Sequence, residues 1–186
     1  MKKWKTLNSE YLFKTPFGNL RKDECELPNG NIIKDYYVNE YSNWVNAIVI
    51  TNENKILLVK QYRYAAQEFF LEIPAGKPEG DETYQEAILR EIKEETGYIT
   101  EGEPILLGEF FINPATQNNK VFSYLILDAY QAFEQEMDPT EFIEINLVEI
   151  DEMSTKIKNG EINQLFTVSA FYLSMPYLKR FRQVVK

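Results

Sequence analysis

The sequence predicts a mixed α/β domain that carries a small antiparallel sheet at its N-terminus. Three observations predict it. Extended apolar runs interleave with helical ones from residue 44 to residue 175, as they do in α/β proteins. The turn signal LPNGN, residues 27–31, separates KDECE from IIKDYYVNEY, and Asn-Gly between extended runs marks a hairpin. One stretch, Thr83 to Gly97, carries helix signals at both ends.

Taken in order, residues 1–42 alternate loosely and read as one small sheet. WVNAIVITNENKILLVKQYRY gives strands over 44–51 and 55–62, joined by NENK. FFLEIPAGK reads as a further strand, ended by Pro74 and Gly76. Thr83 and Glu86 have capping-box spacing, and Gly97 suits the left-handed residue that closes a helix. Strands follow at PILLGEFFI and VFSYLILDAY, joined by the loop NPATQNN, and a third at FIEINLVEI after MDPTE. A buried helix through INQLFTVSAFYLSM closes the fold; the apolar run there, with Pro176 in it, is too short to span a bilayer. No signal-peptide pattern, internal repeat or low-complexity tract is visible, so no membrane association is expected.

Composition narrows the chemistry. The 186 residues carry a net charge of −9, which disfavours a nucleic-acid partner. An anionic substrate would therefore need locally placed cations. A single cysteine, Cys25, excludes an internal disulfide and suggests a reducing, cytoplasmic setting. The absence of histidine removes His-ligated zinc, a Ser-His triad and an imidazole base. Any metal must be held by oxygen, which points to Mg²⁺, Mn²⁺ or Ca²⁺.

The densest cluster of such oxygens is REIKEETG. At about 100° per residue, Glu91, Glu94 and Glu95 share roughly a 100° arc, with Ile88 and Ile92 beside it. Three like charges near a helix C-terminus repel each other and oppose the macrodipole. A divalent cation offsets that cost. A solvated acidic face neutralised by Arg90 and Lys93 would also account for EIKEE alone. Gly76, Glu82, Arg90, Glu91, Ile92, Glu94, Glu95, Gly97 and Tyr98, however, fall in a pattern that arises by chance on the order of once in 10⁸ windows.

That pattern resembles the Nudix box, with Tyr98 where an aliphatic residue is more usual. The resemblance implies an α/β/α sandwich and hydrolysis of a nucleoside diphosphate linked to another moiety. It implies metal ligation by Glu91, Glu95 and the carbonyl of Ala75, with Glu94 as a further or outer ligand. Arg90 and Glu82 would orient the cluster, and Gly76 would let the chain turn sharply at Ala75. Mg²⁺ is the implied cofactor, with Mn²⁺ as substitute. LLVKQYRY followed by FLEIPAGK, the N-terminal sheet and Pro114, sixteen residues past the box, resemble the ADP-ribose pyrophosphatase branch.

By that resemblance Arg63 binds the diphosphate and Glu72 lies at the site mouth. Residues 1–42 form a dimerisation sheet and 43–186 the catalytic domain, so a homodimer is implied. Trp44, Tyr36 and Tyr37 are candidates for stacking the base. The branch usually places a glutamate in the loop after Pro114; here Gln117, Asn118 and Asn119 stand there instead. These amides can bind sugar or phosphate but cannot act as base, which leaves a box glutamate, Glu141 or Glu144. The expected substrate is ADP-ribose. Other nucleoside diphosphate sugars, dinucleotides such as NADH, and damaged nucleoside triphosphates stay open. A nucleotide sensor without catalysis is the competing class, disfavoured by an intact box and by the lack of room for a helix-turn-helix after the last predicted helix.

Overall fold

A computed structural model describes residues 1–137 and 139–178. Residue 138, in the MDPTE turn, and residues 179–186 of the expected catalytic domain lie outside the described residues. The chain forms two compact units: Met1–Asn43 with Phe110–Val121, and Trp44–Glu109 with Phe122 onward.

The first unit is an antiparallel meander of β1 (Lys5–Thr15), β2 (Gly18–Glu26) and β3 (Ile32–Glu40), in that order across the sheet. Glu26 pairs with Ile32, so LPNGN is a longer loop closed by Leu27 N–H to the Asn31 carbonyl at 2.8 Å. Ser9 Oγ donates to Asp23 at 2.6 Å, and Arg21 forks onto Asp23 at 2.9 and 3.0 Å while also reaching Glu40. Burial alone would raise the Asp23 carboxyl, but these bonds outweigh it and hold the pKa low. Every residue of the edge strand β1 is exposed. Phe110–Val121 joins this unit through backbone and side-chain bonds: Asn39 N–H to the Thr116 carbonyl at 2.8 Å, and Tyr36 Oη to the Ala115 carbonyl at 2.6 Å.

The remaining elements are β4 (Trp44–Thr51), β5 (Lys55–Arg63), β6 (Glu68–Glu72), β7 (Ala75–Gly76), α1 (Tyr84–Thr96), β8 (Tyr98–Ile99), β9 (Ile105–Phe111), β10 (Lys120–Gln131), β11 (Ile143–Glu149), α2 (Ile150–Lys158) and α3 (Leu165–Leu178). The sheet order is β11-β5-β4-β10-β8, with β6 on β5, β7 on β4 and β9 on β10. β4 shows why this is a sandwich. Val45, Ala47 and Val49 pack with Ala87, Ile88 and Ile92 of α1, whereas Ile48 and Ile50 pack with Met153 of α2 and Ala170 and Phe171 of α3. A strand covered on both faces reads as one apolar run, and each fully buried large side chain contributes about 1.5–3 kcal/mol.

Three details differ from the sequence reading. FFLEIPAGK is two strands: β6 pairs with β5, and after Ile73-Pro74 the chain moves to pair with β4 as β7. Pro74 has no N–H to extend a ladder, but its carbonyl accepts from Ala47 N–H at 3.1 Å. The helix α2 was not expected; Glu149 at its N-cap makes no side-chain capping bond, but Asp151 and Glu152 in the first turn and Lys156 and Lys158 in the last suit its macrodipole. The last helix begins at Leu165 and runs through Pro176. None of the helices is long and apolar enough to cross a membrane among the described residues.

Candidate active site

Helix α1 carries the acidic cluster, and its ends fix its register. Thr83 Oγ accepts from Glu86 N–H at 3.2 Å, and the Glu86 carboxylate accepts from Thr83 N–H at 2.8 Å. At the other end Gly97 has φ 71°, and a Cβ there would sit 2.1 Å from the Phe133 carbonyl oxygen. Conformation and space both demand glycine. The last carbonyls of a helix have no partner within it; here residues 132–136 supply partners. Glu136 N–H donates to the Glu94 carbonyl at 2.9 Å, Gln135 Nε2 to the Glu95 carbonyl at 2.6 Å, and Ala132 and Phe133 N–H to the Gly97 carbonyl at 3.0 and 3.1 Å.

With Ala87, Ile88 and Ile92 turned into the core, Glu91 and Glu95 come to lie against β7. Glu95 is 4% exposed and accepts from Ala75 N–H at 3.3 Å. Glu91 accepts from Lys77 N–H at 3.2 Å and lies over Gly76, where a Cβ would stand 1.9 Å from its carboxyl carbon. Gly76 is therefore needed for space. The sharp turn expected of it is not what requires a glycine, since its φ is not positive.

Arg90 gathers the outer part of the cluster. It forks onto Glu82 at 2.9 and 3.1 Å, reaches Glu94 at 2.8 Å and Glu91 at 3.2 Å, and donates to the Lys77 carbonyl at 2.9 Å. Bonds to Arg90 and to the Glu79 N–H lower the Glu82 pKa. Glu94 thus turns toward Arg90, while Glu95 turns inward. Among the described residues no three acidic groups already surround one point as a closed metal cage.

Burial raises the Glu91 pKa, opposed by the Arg90 charge, and pushes Glu95 well up, with the Glu91 charge adding to it. Glu95 is thus withdrawn from water and Glu91 half so; each accepts one backbone N–H, and of the two Glu91 alone has Arg90 against it. Buried charges need a counter-charge, and an all-oxygen donor set suits a hard divalent cation. The residues present fit such an ion.

A second group lies nearby. Arg63 Nε and Nη2 donate to Glu72 at 3.1 and 2.7 Å, and Glu72 is 3% exposed. Burial would lower the Arg63 pKa, but Glu72 reverses the shift, and the charges of Glu95 and Glu141 add to it. Glu141 also raises Glu95. Glu144, in contrast, sits on β11 with its side chain 77% exposed and 3.5 Å from Lys60.

A cavity of about 320 Å³ adjoins Arg63, Glu72 and Ala75, and its walls include Trp44, Phe70 and Phe166, with Gln164. The last three escaped the sequence reading, because nothing local says which of a dozen phenylalanines faces a cavity. A larger space of about 370 Å³ behind α1 is lined by Ile92, Tyr98 and Ile126 and lacks Glu91 and Glu95. The buried Asn46, paired with Ala75 across β4–β7, has neither amide atom hydrogen-bonded among the described residues.

Gln117, Asn118 and Asn119 belong to the first unit. Gln117 bridges to Asn39, and Asn119 is 3% exposed with its Nδ2 on the Ser42 carbonyl at 3.0 Å. Tyr36 meets Trp4 edge-on, and Tyr37 is exposed.

A helix of this register packed beside a short strand, in this sandwich, defines a class. The family described as NUDIX domain matches residues 43–167, and the nucleoside diphosphate sugar hydrolase N-terminal domain matches residues 4–39. The chain belongs to the Nudix family and is a Nudix hydrolase. It is 35% identical over 167 residues to a methanol dehydrogenase activator of Bacillus methanolicus, covering 89% of each chain. It is 31% identical over 173 residues to an ADP-ribose pyrophosphatase of Bacillus subtilis, covering 92% of each. The solved structure of an ADP compounds hydrolase superposes with a TM-score of 0.83 at 20% identity, over 96% of each chain, and shares the fold.

Proposed function

We propose that the chain hydrolyses the diphosphate of ADP-ribose, with Mg²⁺ as cofactor and Mn²⁺ as substitute, to AMP and ribose 5-phosphate. The observation that carries this reading is the pair of carboxylates, half-buried Glu91 and buried Glu95, that accept from the Lys77 and Ala75 N–H groups, with Arg63 acting on Glu95. The name of the Bacillus subtilis relative supports the choice of substrate. Glu91, Glu95 and the Ala75 carbonyl would hold the ion, with Glu94 as a further ligand; Arg90 and Glu82 keep the cluster oriented. A divalent cation bound there neutralises phosphate charge and makes a bound water acidic.

Arg63 binds the diphosphate, and a guanidinium fork suits phosphate oxygens. Glu72 holds that fork in place. Glu141 accepts the proton of the attacking water; its charge acts on both Glu95 and Arg63, whereas Glu144 is engaged with Lys60. Glu141→Gln is expected to lower kcat by about 100-fold or more, in the range of general-base catalysis, and Glu144→Gln to leave it within two-fold or so. Equal losses in the two variants would remove Glu141 from this role.

Of the remaining expectations, the lone cysteine supports action in the cytoplasm and the charge of −9 supports a small-molecule substrate without nucleic acid or membrane. Exposed β1 supports a homodimer. Gln117 and Asn118 are proposed to contact sugar or phosphate; Asn119, 3% exposed and bonded to the Ser42 carbonyl, is withdrawn from that role. Turnover of ADP-ribose, GDP-mannose, UDP-glucose, NADH and nucleoside triphosphates with Mg²⁺ and with Mn²⁺ tests the reading, with ADP-ribose expected to be fastest. Binding without turnover of any of them would favour a sensor. The Bacillus methanolicus relative supports a second reading, activation of a dehydrogenase, which is tested by adding the chain to a methanol dehydrogenase assay.

A further inference from the structure

We propose that Thr167, in the first turn of α3, is a positioning residue: its hydroxyl fixes the switch from β6 to β7 and so sets Glu72 and Ala75 for their partners. The proposal rests on the metal seat of the hydrolase reading above and deepens it. Every residue it uses lies in the second unit. Between Glu72, the last residue of β6, and Ala75, the first of β7, the chain belongs to neither ladder. Pro74 has no N–H to offer, and its carbonyl accepts from Ala47 N–H. The Ile73 N–H is the one backbone donor of this interval, and Thr167 Oγ accepts it at 3.1 Å across 94 positions of sequence.

Ile73 and Thr167 are both buried, and an N–H so placed is costly to leave unpaired. The hydroxyl is itself aimed. It donates to Gln164 Oε1 at 3.1 Å, and the same oxygen accepts from Thr167 N–H at 2.8 Å. A threonine hydroxyl has one proton and two lone pairs, so the proton given to Gln164 leaves a lone pair for Ile73. Capping α3 needs only the bond from Thr167 N–H to Gln164, which a valine at this position would keep. The bond to Ile73 serves the sheet instead. On one side of Ile73, Glu72 holds Arg63 through two bonds; on the other, Ala75 N–H donates to Glu95 at 3.3 Å. Pro74 transmits a shift between them rather than absorbing it, because its ring fixes φ and confines Ile73 to extended conformations. Loosening Ile73 therefore loosens Ala75, both the N–H that Glu95 accepts and the carbonyl proposed as a metal ligand.

The test reads amide hydrogen exchange in the metal-free protein and Mn²⁺ affinity by electron paramagnetic resonance. Thr167→Val keeps the shape and the N–H bonded to Gln164 but loses the hydroxyl; Thr167→Ser keeps the hydroxyl. Thr167→Ala, which places the best helix former in α3, is a second hydroxyl-free variant should valine not fold. Thr83→Ala, at a cap outside the site, is the destabilised control. In the valine and alanine variants Ala75 N–H should exchange about ten-fold faster or more. Their Kd for Mn²⁺ should rise about ten-fold or more, as it does when a group behind a metal ligand is lost. Thr167→Ser should stay within about two-fold of the parent in both readings, and Thr83→Ala should move neither. Unmoved Ala75 exchange in the hydroxyl-free variants, an unmoved Kd where the parent binds Mn²⁺, a serine variant as impaired as they are, or an equal effect of Thr83→Ala would overturn the proposal. The exchange reading uses neither metal nor substrate. Failure of the hydrolase reading appears separately, as an unsubstituted protein that does not cleave ADP-ribose.

Discussion

Glu95 stands where the fold disfavours a charge: 4% exposed, beside a second carboxylate, and raised well above its ordinary pKa of 4.5. A raised folded pKa means the folded state holds the proton more tightly than the unfolded state. Stability from this group is therefore highest below about pH 4.5 and falls as pH rises toward and past the folded value. Glu95→Gln removes that loss. At pH 7.5 and without divalent ions the variant should melt higher than the parent, by about 2–4 °C per kcal/mol relieved, and the difference should close below pH 4.5. It should also lose about 100-fold or more in turnover, since even outer-shell changes at metal sites cost 10–100-fold. A Tm unchanged by the substitution across this pH range would contradict the buried-charge account. The spacing of Glu91 and Glu95 was legible in the sequence because helix geometry alone sets it. That Arg63 is engaged by Glu72 was not, since their pairing depends on two strands meeting.

At the scale of elements, α1 was readable because both caps are local. Thr83→Ala removes the bond to Glu86 N–H and should cost about 1 kcal/mol, seen as a lower Tm, while kcat and KM stay near the parent values. The cap is at the end of the helix remote from Glu91 and Glu95. Gly76→Ala should do the reverse. Its Cβ would occupy the place of the Glu91 carboxyl group, so turnover should fall at least about ten-fold and Mn²⁺ affinity with it. If Gly76→Ala bound Mn²⁺ like the parent, Glu91 would have to find another seat. The break between β6 and β7 was invisible as a change of partner, because Pro74 signals only an interruption. The helix α2 was missed although Asp151 and Glu152 in its first turn and Lys156 and Lys158 in its last carry a helix's charge pattern.

For the whole molecule, the mixed α/β class was legible from the interleaved elements, and the sandwich came from the resemblance that the box carries. The membership of Phe110–Val121 in the first unit was not, because it rests on bonds to residues nearly eighty positions away, such as Tyr36 to Ala115. The fully exposed β1, with Leu7 and Phe13 among its apolar residues, leads to an expectation about assembly. The parent should sediment as a dimer, and Leu7→Lys with Phe13→Lys as a monomer. Two species sedimenting alike would place any interface elsewhere.

The carbonyls that end α1 are satisfied by Ala132, Phe133, Gln135 and Glu136, and the bond from Gln135 to Glu95 spans 40 residues. During synthesis the acidic helix therefore emerges from the ribosome well before the segment that finishes it. Until that segment follows, the carbonyls of Glu94, Glu95 and Gly97 lack these partners, while the Glu94 carboxylate already has Arg90 of the same helix. The cation seat proposed for Glu91 and Glu95 would accordingly be completed late in the chain's growth, at about the time Glu141 is made.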